Sequence, residues 1–129
     1  MKSYTDIEQS KKLAEILPIE SADMTLPFRH PKNDEYIPGY VVSRNYVEVH
    51  NEMMKLPAME KEDVCKLIQP SWSLTALLSF IPNYKLSSEH NHHTCTAETS
   101  FGKETVAWFD NPVDACYEMI LKLKEKNLL

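Results

Sequence analysis

The chain has 129 residues, of which 43% are hydrophobic and 26% charged, with a net charge of −5 when the histidines are neutral. That size and balance fit one globular domain and exclude wholesale disorder. The acidic charge disfavours binding along a nucleic-acid backbone, which is driven by basic stripes, and no apolar run reaches the roughly 18 residues that cross a bilayer.

The first helix is expected to start at Thr5, with Glu8 three residues later completing a capping box, and to end before Pro18 after Ile7, Leu13, Ile16 and Leu17. From Ile19 to Gly39, Pro27, Pro31 and Pro38 interrupt any period, so this stretch reads as an irregular connection. Tyr40 to Leu56 reads as strand and then helix, and a short helix is expected between Met59 and Ile68, with Val64, Leu67 and Ile68 inward. Its opening acids, Glu60 to Asp63, suit a helix N-terminus.

Within Pro70–Pro82 the spacing of Leu74, Leu77, Leu78 and Ile81 predicts a helix capped by Ser73. A hairpin follows. His93–Phe101 and Glu104–Asp110 flank Gly102-Lys103, with Gly102 at the first central position of a type II′ turn. Pairing Phe101 with Glu104 sets Ala97 opposite Trp108 and Thr99 opposite Val106 on a buried face. Thr96, Glu98 and Ser100 lie on a more polar one. A strand near Tyr84–Ser88 extends the hairpin into a meander. The last helix is capped by Asn111, has Pro112 at its first position, and carries Val113, Cys116, Tyr117, Ile120 and Leu123 as its apolar stripe. The basic cluster Lys122-Leu-Lys-Glu-Lys126 suits the C-terminal end of that helix. The fold class is therefore α+β, one domain in which an antiparallel meander packs against N-terminal, central and C-terminal helices.

Three segments, Ser21-Ala-Asp-Met24, Pro70-Ser-Trp-Ser-Leu-x-x-Leu-Leu-x-x-Ile-Pro82 and Asn111-Pro-Val-Asp-Ala-Cys-Tyr-Glu-Met-Ile120, occur in this order. Together they resemble a set of small uncharacterised proteins carried by bacterial phages and integrated mobile elements. The resemblance implies an origin and no activity, and it brings no catalytic residues.

Glycine gives the sharpest chemical exclusion. Only Gly39 and Gly102 are present, and loops that cradle phosphates need several glycines so that backbone N–H groups can reach the anion. A nucleophile elbow and a zinc-protease helix are also missing. The one concentration of metal-ligating residues is His90-Asn-His-His-Thr-Cys95. Alternation along a strand separates His90 and His92 from His93 and Cys95. The expected register sets Asp110 opposite Cys95, so His93, Cys95 and Asp110 could share an edge and hold zinc with one position open. Cys95 reads equally well as a small core residue. Cys65, Cys95 and Cys116, odd in number and far apart, look like reduced thiols, and Cys116 belongs to a core stripe. The N-terminus carries an early acid and no apolar signal core, so a cytoplasmic location is expected.

Trp72 is either an exposed anchor for a partner or a staple that fixes the helix entry on the core. Trp108 reads as core. Tyr36 and Tyr40, in the long connection, could present a partner surface. Two functions follow. The first is a non-enzymatic cytoplasmic binding or accessory module, derived from a phage or mobile element and engaging another protein or a second copy of itself, with no cofactor and no membrane partner. The alternative is a small metal-dependent hydrolase on the His93, Cys95 and Asp110 edge, with His90 or His92 as proton shuttle.

Overall fold

The computed structural model describes residues 2–30, 35–36, 42–55 and 68–129. They gather into two compact units, one of Met1–Thr5 with Ser73–Leu129 and one of Asp6–Trp72. Each unit sets helices against a three-stranded antiparallel sheet, so the class is α+β.

In the Asp6–Trp72 unit, helix α1 spans Ile7–Ala14. Its cap is Asp6, one residue beyond the expected Thr5. The Asp6 carboxylate accepts the Gln9 N–H at 2.9 Å, and the Gln9 side chain accepts the Asp6 N–H at 3.2 Å. Thr5 is fully buried instead. A 3₁₀ turn at Ile19–Ser21 leads into strand β1, Met24–His30, where irregular chain was expected because of Pro27. The strand tolerates this proline for a geometric reason. Thr25 points its N–H and C=O at Val42, with bonds of 2.9 and 2.8 Å. Backbone polar groups alternate sides along a strand, so Pro27, two residues on, also faces away from β3 (Ile68–Ser71). Its missing N–H therefore leaves the β1–β3 ladder, Met24↔Ser71 to Pro27↔Ile68, intact. Strand β2, Glu35–Tyr36, pairs with β1 only from Phe28 onward.

Helix α2, Tyr46–Met54, begins where the side chain of Asn45 accepts the N–H groups of Val47 and Glu48. It packs on β1, β3 and the 3₁₀ turn, while α1 packs on β3. Leu13, Leu17, Leu26, Tyr46, Ile68 and Trp72 are buried in this unit. Apart from Ile68, the helix expected between Met59 and Ile68 lies outside the described residues; Ile68 opens β3.

In the other unit, Ser73 caps the five-residue helix α3, Leu74–Leu78, accepting the Ala76 N–H at 3.2 Å. The expected meander then forms from β4 (Lys85–Glu89), β5 (His92–Thr99) and β6 (Gly102–Phe109), in that order across the sheet. His90 and Asn91 join β4 to β5 with φ of 51° and 64°. Positive φ at both central residues marks a type I′ turn. The β5–β6 turn differs from expectation: Thr99 pairs with Gly102, so Ser100 and Phe101 are central and Gly102, at φ 121°, closes the turn. Thr99 Oγ1 accepts the Phe101 N–H and donates to Gly102 O, which stabilises this choice.

The shift alters every partner but moves residues by an even number, so faces are preserved as far as Val106. Cys95 sits opposite Val106, and Ala97 opposite Glu104. Beyond that, His93 pairs with Phe109, so β6 carries one extra residue between the two pairs. This bulge inverts the alternation. Trp108, expected in the core, is carried to the outer face and is 75% exposed.

Helix α4, Pro112–Glu125, lies on β5, β6 and α3. Asn111 Oδ1 accepts the Asp114 N–H at 2.9 Å. Val113, Cys116, Ile120 and Leu123 are buried as the spacing predicts; Ala115 and Met119 are buried too, and Tyr117 is only half-buried. Lys2 reaches Asp114 with a 2.7 Å ion pair, tying the first residues to this helix.

Candidate functional site

The side chains singled out by the sequence separate. Trp72 is fully buried, and its indole N–H donates to Ser21 Oγ at 2.9 Å. It has no exposed surface to offer a partner. Tyr36 lies in the two-residue strand β2, and Tyr40 lies outside the described residues.

The proposed metal edge loses the register on which it rested. Cys95 is opposite Val106, His93 is opposite Phe109, and Asp110 follows the end of β6. Among the described residues, no group of three or more His, Cys, Asp and Glu side chains is placed to hold a metal ion. Cys95 is fully buried beside Cys116, on the helix that covers it. Their thiols share a hydrogen bond, and that bond together with burial pushes the Cys116 thiol above its ordinary range. Both sulfurs behave as core atoms.

What the fold assembles in place of the metal edge is a notch on the outer face of the meander. The bulge aims Trp108 outward from β6, and the first residue of β5 places the His92 ring beside it, with centroids 4.9 Å apart and planes tilted by 58°. Thr94 stands two residues along on the same face. Glu89 pairs with His92 across the β4–β5 ladder, and His90 follows in the I′ turn. These five residues enclose a cavity of about 150 Å³. His92 Nδ1 is buried and finds no hydrogen-bond partner. Glu89 and His90 sit at the rim, with His90 Nε2 3.8 Å from the Glu89 carboxylate and both side chains almost fully exposed.

Trp108 also takes φ 73°, a left-handed backbone conformation that costs a side-chain-bearing residue about 1–2 kcal/mol. A strained, exposed tryptophan beside an unpaired buried nitrogen distinguishes this notch from a second hollow at the opposite end of β5. That hollow, about 700 Å³ between Pro82, the hairpin tip at Phe101 and residues 127–129, is open to solvent.

Comparison with protein-family models, with curated proteins and with solved structures finds no match to this chain. The notch must therefore be read from its own chemistry. Sequence reasoning named His90 and His92 but assigned them to metal, and it missed Trp108 and Glu89. The signal available was the pair His90-Asn91, since asparagine readily adopts the positive φ of an I′ turn. Reading that turn sets Glu89 opposite His92.

Proposed function

We propose that this chain is a non-enzymatic binding or accessory module, acting in the cytoplasm and derived from a phage or mobile element, whose outer sheet face at Trp108 docks another protein. The observation that carries the reading is Trp108 itself: a large aromatic ring, 75% exposed, held outward by a bulge at unfavourable φ. Strain of this kind persists where the surrounding fold imposes it, and it concentrates at functional positions. Tryptophan is also the residue most enriched among interface hot spots. The scarcity of glycine supports the same reading, because it removes the phosphate-binding loops of nucleotide-dependent enzymes.

The hydrolase alternative needs His93, Cys95 and Asp110 on one edge, and the observed strand register gives it no support.

The test compares three immobilised chains, wild type, Trp108→Ala and Lys103→Ala, by quantitative mass spectrometry of proteins retained from a lysate of the source cells. Lys103 is an exposed residue of β6 and serves as the surface control. The expected result is a protein retained by wild type and control and depleted about tenfold or more by Trp108→Ala, as loss of a hot spot implies. Equal retention by all three chains, or none by any, overturns the reading.

A further inference from the structure

The dimensions of the notch limit what can enter it. Its 150 Å³ is about half or less of the roughly 300–1,000 Å³ that a whole small-molecule ligand occupies. It is several times the ~30 Å³ share of one water molecule. One flat head group with a few heavy atoms fits.

Its walls specify the chemistry of that group. The exposed ring of Trp108 offers a π face, which attracts a cation. The His92 ring packs against Trp108 and walls the notch, with its Nδ1 buried out of reach of a ligand. The Glu89 carboxylate at the rim adds an anionic acceptor, and the Thr94 hydroxyl can accept as well. A fitting group is therefore planar, positive and able to donate from more than one atom. Guanidinium meets all three requirements. An ammonium lacks the flat face, an aromatic ring lacks the charge and the donors, and a carboxylate or phosphate would meet Glu89 as a like charge. The acidic balance of the chain, −5 overall, favours a basic partner in the same sense.

We propose that the notch binds an arginine side chain of the partner protein, with its guanidinium stacked on Trp108 and donating to the Glu89 carboxylate and the Thr94 hydroxyl. This rests on the reading of the chain as a protein-binding module and states what the partner brings to it. The bulge sets the direction in which the Trp108 side chain leaves β6, and the ring rests against His92.

The experiment is an NMR titration of the full chain with a capped Gly-Arg-Gly tripeptide, alongside its citrulline and lysine counterparts. Citrulline keeps the shape of arginine and removes the charge. The Trp72 indole, buried and bonded to Ser21, is the internal reference. The arginine peptide is expected to shift the Trp108 indole and His92 signals saturably and leave Trp72 still. Citrulline should bind about tenfold or more weakly, with lysine in between. Glu89→Gln and Trp108→Ala should each weaken the arginine peptide by about tenfold, and Glu89, being fully exposed, can be changed without cost to the core. Equal response to citrulline, an unchanged affinity in Glu89→Gln, or no movement at Trp108 overturns the proposal. Signals at the notch that shift on dilution without peptide assign it to a second copy of the chain and overturn it too. If the peptide fails while Trp108→Ala still loses its partner from the lysate, the arginine inference falls and the protein-binding reading stands; if both fail, both fall.

Discussion

Trp108 shows how one residue's backbone can outweigh its hydrophobicity. Tryptophan gains most by burial, yet here it sits at φ 73° and 75% exposed, because the extra residue in β6 reverses the alternation after Val106. The strain has a measurable consequence. Glycine adopts positive φ freely, at an entropic cost of about 0.5–1 kcal/mol, and the exposed ring has little burial to lose beyond its contact with His92. Trp108→Gly is therefore expected to leave stability unchanged or raise it by up to about 1 kcal/mol, measured by urea unfolding. A destabilisation beyond about 2 kcal/mol, as for emptying a core site, would show that the ring supports the fold. Trp72, the other tryptophan, is the opposite case, buried entirely and with its one polar atom satisfied by Ser21.

At the scale of elements, α4 is held in two ways. Its inner face buries Val113, Cys116, Met119, Ile120 and Leu123 completely. Ile120→Ala should cost about 2–5 kcal/mol in equilibrium unfolding, the range for deleting a core side chain; a loss under about 0.5 kcal/mol would place that face at the surface. Its outer end is tied to β6 by Glu104, which receives Lys126 Nζ at 2.9 Å and lies 3.5 Å from Lys122 Nζ. The Lys126 hydrogen bond, with Lys122 adding to it, holds the Glu104 carboxyl below the ordinary carboxylate range. A carboxyl lowered on folding contributes stability above its unfolded value, about 4.3, and loses that contribution as pH falls through the lower folded value. The protection factors of amides in the last turn of α4, which correct exchange for its intrinsic pH dependence, should thus be steady from neutrality to about pH 4 and fall below it. Glu104→Gln should remove that acid-dependent step; an identical profile in the variant would show that the pair contributes nothing.

For the molecule as a whole, the ligand inventory and the strand register bear on metal. His93 stands opposite Phe109 and Cys95 opposite Val106, Asp110 lies beyond the end of β6, and Cys95 is buried under α4. A metal that binds the folded chain raises its melting temperature by mass action. Zinc in excess is therefore expected to leave the Tm of the untagged chain unchanged. A saturable rise that His93→Ala abolishes would restore the hydrolase reading.

Features that depend on local chemistry were legible along the chain. Asn111 and Pro112 start α4 as expected, because capping acts within one turn. The i, i+3, i+4 spacing marked Leu77, Val113, Cys116 and Ile120 as buried, because a helix repeats its faces by covalent geometry alone. Ile81 is buried too, but in the turn that follows α3, which ends at Leu78 rather than running on to Pro82. The meander followed for the same reason, from strand composition and turn residues. Other features depend mostly on residues far apart in the chain. Whether Pro27 could stand in a strand depended on which flank its neighbours occupied, and that became visible only once Thr25 was paired with Val42. Where the second hairpin turned depended on Thr99 bonding around Ser100 and Phe101 as much as on Gly102. The notch required both a bulge in β6 and the I′ turn at His90-Asn91, two events 18 residues apart whose joint effect is set by cross-strand pairing. Period-2 reasoning carries a face assignment only until a residue is inserted, and nothing local in Ala107-Trp108 announces the insertion.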